Sequence, residues 1–420
     1  MSAHRLFYNL LLYLATPLLL VRLLWRARRQ SAYLHQVAER FGIYDGPEPE
    51  GPWIWVHAVS VGETRAAGPL IRALQQQRPL QRILLTHMTP TGRDAGFTLF
   101  GDRVTRCYLP YDYPGAVARF LDRYRPVAGV LMETEIWPNL IHAAMRRGIP
   151  LYLVNARLSE RSQRGYQRSG ALARDAMRGL TKIAAQTEND ATRLRSLGAE
   201  RVVVTGNLKF DLEWPAQQIE QGQALRQFIG ARTVLLAAST REGEEALLLD
   251  AVMQAEIGDA LLVIVPRHPQ RFDEVAALIA ARGLQLQRRS AGTPITAATR
   301  VVLGDSMGEM FMYYAACDVV LMGGSFLPYG AHSLIEPCAL GRPVIIGPST
   351  YNFAEAADAA IAAGAALRVS DLAEAVPLAL LLAADAGRCQ RMGAAGAAFT
   401  VAHRGATRRV LDLMDIPVES

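Results

Sequence analysis

Val319 to Phe353, the run VVLMGGSFLPYGAHSLIEPCALGRPVIIGPSTYNF, decides how this chain folds. Val319–Met322 is a short apolar strand, and Gly323-Gly324-Ser325 is the turn that ends it. A loop follows through Gly330, then a helix over His332–Leu340, a strand over Val344–Ile346 and the loop Gly347–Phe353. The order strand, glycine turn, helix, strand is a β-α-β unit of a parallel sheet. Glycines directly after a strand let backbone N–H groups approach a phosphate, and the helix behind them offers the positive end of its dipole. Glu336 on that helix can accept hydrogen bonds from ribose hydroxyls, so the stretch reads as a nucleotide-sugar site. An ordinary β-α-β unit carries the same glycine turn, and the rest of the chain has to separate the two readings.

Outward from this stretch, short apolar runs alternate with helical patterns over most of the chain. The second half supplies strands at Val234–Ala238, Ala260–Val265 and Val301–Leu303, and its alanine-rich tract Ala354–Ala384 has the periodicity of packed helices. The first half supplies Ile54–His57, Ile83–Thr86, Val104–Leu109, Gly129–Met132, Leu151–Asn155, Ile183–Gln186 and Val202–Thr205. Helical patterns such as Ala66–Gln76, Ala116–Tyr124 and Leu140–Arg147 lie between them. Asp211–Gln221, with Trp214-Pro215, has no strand pattern and reads as a linker into a helix near Ala224–Ile229. At 420 residues the chain exceeds one ordinary core. Two doubly wound α/β domains are expected, 31–212 and 213–420, behind an N-terminal segment 1–30 of different character.

That segment is nearly all apolar from Leu6 to Leu24 and is followed by Arg26, Arg28 and Arg29, with no acidic residue before Glu39. Arginines in place of a small-residue cleavage site argue for an uncleaved anchor. About 19 apolar residues just suffice to span a bilayer, and Pro17 and Arg22 equally allow a helix lying in the interface. The downstream arginines place the body on the cytoplasmic side. The formal charge of +6 suits a membrane surface, a nucleotide or a phosphorylated lipid. Nucleic acid is not favoured, because the basic residues are dispersed and no recognition motif appears. Lys182 and Lys209 are the only lysines, which draws attention to Lys209. Four separated cysteines, Cys107, Cys317, Cys338 and Cys389, form neither a zinc pattern nor a disulfide framework.

In doubly wound sheets, chemistry collects at the carboxyl ends of the strands. There the sequence places His57–Thr64 with Glu63, Glu133–Asn139 with two carboxylates, and Gly206–Asp211 with Lys209. In the second half it places Ala237–Glu244, Val265–Pro269 and Gly304–Glu309. Any one acid at a helix start is an ordinary dipole partner; three polar strand-end clusters in one sheet are more than that. No D-x-D, no phosphate-loop lysine motif, no nucleophile elbow and no His/Cys ligand spacing occurs, so metal-free chemistry is expected.

These segments resemble a known family. The apolar N-terminus with its arginines, His57–Glu63, Thr89-Pro90-Thr91-Gly92, Leu109-Pro110-Tyr111-Asp112, Met132–Asn139 and Asn155-Ala156-Arg157-Leu158-Ser159 match it in order. So do Gly206–Asp211, Val265–Pro269, Gly304–Glu309 and Gly323–Pro348. Over essentially its whole length the chain is similar to the 3-deoxy-D-manno-octulosonic acid (Kdo) transferases of lipopolysaccharide inner-core synthesis. The resemblance implies a GT-B fold, with two Rossmann-like domains facing a central cleft. It also implies inverting, metal-independent transfer of Kdo from CMP-Kdo to the lipid A precursor, lipid IVA, on the cytoplasmic face of the inner membrane. CMP-Kdo is then a substrate, and no cofactor is expected. Glu63 matches the family's general base, and Glu133 and Lys209 match positions assisting the transition state. Pro266, Arg267, His268, Met307, Gly308, Glu309, Ser333 and Glu336 match CMP contacts. The chain departs from the family pattern at Gly330-Ala331-His332-Ser333, where Gly-Gly-His-Asn is usual. Another GT-B lipid glycosyltransferase and a nucleotide-sugar epimerase remain as alternatives.

Overall fold

The computed structural model describes residues 3–416; Met1 and Ser2 of the expected anchor and residues 417–420 of the expected second domain lie outside the described residues. The chain divides into two units, Met1–Leu212 with Arg404–Ser420, and Glu213–His403.

The sheet of the first unit contains β1 (Trp53–His57), β2 (Arg82–His87), β3 (Thr105–Tyr108), β4 (Pro126–Met132), β5 (Leu151–Ala156), β6 (Lys182–Ala185) and β7 (Val202–Val204). All pair in parallel, in the order β3-β2-β1-β4-β5-β6-β7. Each expected strand of this half is present within a few residues. Helices cover both faces, so both must be apolar, and alternate residues feed two cores. Trp53, Trp55, Leu84, Leu131 and Leu153 enter one. Ile54, Val56, Leu85, Val130 and Tyr152 enter the other. In β4, Gly129 leaves the space that the Trp55 ring and Leu151 fill: a Cβ there would lie 2.7 Å from Trp55 and 2.4 Å from Leu151. The indole is fixed by a 2.8 Å hydrogen bond to the Thr86 hydroxyl and a 5.1 Å edge-on contact with Phe120.

The second unit repeats the plan with β8 (Val234–Thr240), β9 (Leu261–Pro266), β10 (Leu286–Arg288), β11 (Val301–Leu303), β12 (Val319–Met322), β13 (Val344–Ile346) and β14 (Ala366–Arg368), ordered β10-β11-β9-β8-β12-β13-β14. The two edge strands escape a reading by hydrophobic runs. Each has three residues and ends in arginine, because an edge strand needs less apolar cover than a central one. β14 also interrupts the alanine tract, which is two helices, Ala354–Ala362 and Leu372–Ala384, with a strand between them. The helix expected over His332–Leu340 is shorter, Ile335–Ala339, and the loop before it carries Ala331 in the left-handed conformation, φ 63°. The linker helix starts at Ala216, directly after Pro215, rather than near Ala224.

Two expected domain boundaries change. The last described helix, Ala406–Leu413, belongs to the first unit. Ala406, Val410, Met414 and Ile416 enter that unit's second core, and the Asp211 carboxylate accepts hydrogen bonds from Gly405 N and Thr407 N at 2.7 and 2.6 Å. Lys182 closes the end with a 2.7 Å ion pair to Asp415. The second domain therefore stops at His403. At the other end, the helix Ala3–Arg29 is not a detached anchor. Tyr8 donates to Asp112 at 3.0 Å, Asn139 donates to the buried Asn9 at 2.6 Å, and Thr16 lies 2.7 Å from the Tyr113 hydroxyl.

Valine is normally a better strand residue than glycine, but at position 129 overpacking wins. Gly129→Val should lower stability by about 1–3 kcal/mol, read as a reduced urea midpoint with unchanged slope for the first unit's transition.

Candidate functional site

In the first unit the strand order reverses at the β1/β4 pair, where successive crossovers leave toward opposite edges of the sheet. Loops diverge there, and their residues are open to a ligand. The loop after β1 brings Glu63. Ser60 caps the helix Val61–Ala66, and its hydroxyl donates to one Glu63 carboxylate oxygen at 3.0 Å while Val59 N donates to the other at 2.8 Å. This is a capping box, the ordinary use of an acid at this position. The environment adds something a surface cap lacks. Burial pushes the Glu63 carboxyl up to about 8, and the negative charge of Glu133 adds to the rise, against the lowering effect of the Val59 N–H.

Glu133 begins the loop after β4 in a left-handed conformation, φ 58°, with Lys209 Nζ 3.3 Å from its carboxylate. Lys209 comes from the loop after β7. Asn207 holds that loop through the Lys209 N–H at 3.0 Å, and buried Asn155 holds it through Leu208 N at 3.0 Å. The three residues expected to act together, Glu63, Glu133 and Lys209, are thus gathered at one edge of one sheet. Glu135 joins them, accepting from the Trp137 indole at 2.8 Å, and burial raises its carboxyl. His57 Nε2 lies 3.9 Å from Glu135, but burial holds the imidazole down to about 3, so it is neutral and the contact is no ion pair.

In the second unit the order reverses at β8/β12. Gly323 passes so close to β8 that a Cβ would lie 2.5 Å from the Ser239 carbonyl oxygen. Glu244 holds the loops here. Its buried carboxylate accepts from Arg241 N at 2.8 Å, Gly324 N at 2.7 Å and Phe326 N at 3.0 Å. One side chain thereby joins the loop after β8 to the glycine turn after β12. Around it collects positive charge. The Arg241 guanidinium lies 4.5 Å over the Tyr329 ring, and Arg267 follows β9 with its N–H on the Thr240 carbonyl at 3.0 Å. His268 and His332 are both held below the ordinary imidazole range, by burial first and by Arg241 and Arg267 second, His332 down to about 4. A site that already repels two extra protons is suited to an anion.

The structure brings Arg267, His268 and His332 into one electrostatic neighbourhood, with Ser333 and Glu336 following directly on the chain. Among the described residues, His332 Nε2 and Ser333 Oγ are buried without a hydrogen-bond partner. The short helix changes the expected phosphate contact. Five residues give little macrodipole, and the Gly323 and Gly324 N–H groups are already bonded to Ala238 O and Glu244, so the donors suited to a phosphate are the arginines rather than a helix end. Pro266 ends β9 beneath Arg267. Met307 and Gly308 lie in the turn after β11. Glu309 is held there by the Ser306 hydroxyl and by Arg289 at 3.0 Å.

Of the seven non-glycine residues with positive φ among those described, Glu133 and Ala331 lie in these loops, and Asn155 and Ser239 lie at the carboxyl ends of β5 and β8, where the strand register shifts. Strain of this kind concentrates where loop geometry is over-determined by function. Glu244 and Arg241 were not among the expected site residues. The signal for Glu244 was an acid four residues after a strand-end threonine, behind a glycine that starts the helix, but three backbone partners from two separate loops cannot be read from spacing. Glu244→Gln puts an amide against three N–H donors. It should cost about 1–3 kcal/mol in the second unit's unfolding and free the Gly324 amide to exchange with solvent, measured by denaturation and hydrogen exchange.

The comparisons agree with this geometry. A family model described as 3-deoxy-D-manno-octulosonic-acid transferase (kdotransferase) matches residues 35–212. A 3-deoxy-D-manno-octulosonic acid transferase of Bordetella pertussis is 47% identical over 97% of this chain and 98% of its own length. One of Haemophilus influenzae is 38% identical over 98% of both. Among solved structures, UDP-GlcNAc 2-epimerase from Neisseria meningitidis superposes with a TM-score of 0.60 at 17% identity, over 86% of this chain and 98% of that one. A glycosyltransferase from Rickettsia africae also reaches 0.60, at 12% identity, over 87% and 98%. These structural likenesses show the GT-B fold alone. With nearly full-length identity to two transferases, the chain belongs to the 3-deoxy-D-manno-octulosonic acid (Kdo) transferase family.

Proposed function

We propose that the chain transfers Kdo from CMP-Kdo to the lipid A precursor, lipid IVA, in lipopolysaccharide inner-core synthesis, at the cytoplasmic face of the inner membrane and with inversion at the anomeric carbon. The observation that carries the mechanism is the Glu63 carboxyl at the switch point of the first sheet, lifted to about 8 by burial and by Glu133. A general base works best when its pKa lies near the working pH. Ionised Glu63 takes the proton of the acceptor hydroxyl as that oxygen bonds to the anomeric carbon, and the bond from that carbon to the CMP phosphate oxygen breaks on the opposite face. Glu133, with Lys209 beside it at 3.3 Å, stabilises the positive charge that develops on the sugar.

The second unit receives the nucleotide. Arg241 and Arg267 take the phosphate charge, which in a monophosphate leaving group is small enough to be met without a metal ion. Glu336 accepts from the ribose hydroxyls, and Ser333 offers a hydroxyl where the family usually has an amide. The exposed apolar face of the N-terminal helix associates the protein with the membrane that carries the acceptor. Mass spectrometry of the lipid formed by the purified chain from CMP-Kdo and tetraacyl precursor tests the overall reading; an unmodified lipid, or a product formed only from UDP-sugars, would count against it.

Glu63→Gln should retain CMP binding by calorimetry and lose ~10²–10⁴ in rate. For the unsubstituted enzyme kcat/KM should climb as pH rises through about 8, since the base acts only when ionised, and Glu133→Gln should move that limb to lower pH by removing a repelling charge. A pH-independent rate near that of the unsubstituted enzyme in Glu63→Gln would remove the base assignment. Glu336→Ala should weaken CMP by roughly 1.5–3 kcal/mol with the fold intact, the range for hydrogen bonds to a charged group; calorimetry decides.

A further inference from the structure

The N-terminal helix has two faces with different neighbours. One stripe, running through Arg5, Tyr8, Asn9, Leu12 and Thr16, is turned toward the first unit. Arg5 lines a cavity of about 370 Å³ with Pro138, His142 and Arg178. Asn9 is buried on Asn139, Tyr8 is bonded to Asp112, and Tyr13 and Thr16 both meet Tyr113, the rings of Tyr13 and Tyr113 being 5.1 Å apart. The opposite stripe, Phe7, Leu10, Leu14, Leu18, Val21 and Leu24, is exposed, Leu18 by 72%.

The lengths decide between spanning and lying flat. Docking holds Arg5 through Thr16, about 17 Å of helix, along the body of a water-soluble fold. The rest of the helix, Pro17 to Arg29, is about 20 Å long, has Leu23 buried on the same stripe and carries Arg22, Arg26, Arg28 and Arg29, against a hydrocarbon core of ~30 Å. The helix cannot keep its contacts with Asp112, Asn139 and Tyr113 and also cross a bilayer. A helix apolar on its outward face, held polar-side to a domain and followed by arginines, matches an anionic bilayer surface in both shape and charge.

Resting on the membrane association put forward above, we propose that this helix lies in the plane of the bilayer interface and that the first unit, docked along it, sits against the same leaflet as the helix. Its N-terminus then stays on the side of the body. Labels attached at Phe7→Cys, Leu14→Cys and Val21→Cys, one stripe over about 21 Å of helix, test this in the full chain, with near-ultraviolet circular dichroism as the check of folding. The unsubstituted chain, labelled in parallel, corrects for its own cysteines. Bound to phosphatidylethanolamine–phosphatidylglycerol vesicles, all three labels should be quenched to the same degree by lipids brominated near the headgroup, and weakly by lipids brominated deep in the chains. A depth that varies along the helix, with Leu14 quenched most by the deep bromines, means a spanning helix and overturns the proposal while leaving membrane association intact. No quenching at any position overturns both. Labels shielded without lipid, together with a doubled mass in sedimentation, would assign the face to a second copy of the chain and equally overturn it.

Discussion

Both sheets depend on one constraint: where a parallel sheet reverses its strand order, two loops part, and the backbone N–H groups they expose must be satisfied without closing the site. The chain answers each time with a carboxylate from the helix after the first central strand. Glu63 follows β1 and Glu244 follows β8, and burial raises the carboxyl of each. Their partners differ. Glu244 accepts from backbone groups of two separate loops, which fixes it as a structural tie. Glu63 accepts only within its own turn, from Val59 and Ser60, and faces the charge of a second carboxylate. The same position thus supplies a brace between two loops in one unit and, in the other, a raised carboxyl held within a single turn.

Charge is arranged oppositely in the two units. The first gathers Glu63, Glu133 and Glu135 around one lysine, the second gathers Arg241, Arg267 and two neutral histidines. In each case like charges share a partly desolvated space, which is unfavourable until a partner of opposite sign arrives. Such repulsion is sustained by the rest of the fold and is a physical mark of a binding region rather than of a stabilising network.

Most of the fold was legible because central parallel strands must be apolar on both faces, so β1, β4, β8 and β12 announce themselves as continuous runs. β10 and β14 did not, since three-residue edge strands carry no such demand. The helix after Ser333 was overestimated because the apolar periodicity runs on through His332–Leu334, which the chain uses as loop before the helix begins at Ile335. Glu63, Glu133 and Lys209 stood out in the sequence as strand-end polar residues against apolar runs, and the resemblance supplied the roles expected of them. Glu244 was not, because its role exists only once two loops 80 residues apart are brought together. The C-terminal helix was misplaced for a similar reason: its apolar face shows that it packs, but not on which sheet.

That misplaced helix has a consequence for how the protein is made. Ala406, Val410, Met414 and Ile416 complete a core whose other members lie before residue 212, and Asp211 waits for the amides of Gly405 and Thr407. A ribosome delivers residues in order, so the first unit emerges with part of one core unfilled and cannot close until residues 404–416 have followed. The second unit, Glu213–His403, is contiguous and can fold while the last residues are still being added. The order of folding on the ribosome is then the reverse of the order of synthesis. A chain cut before Arg404 would leave its first unit incomplete and keep its second one whole.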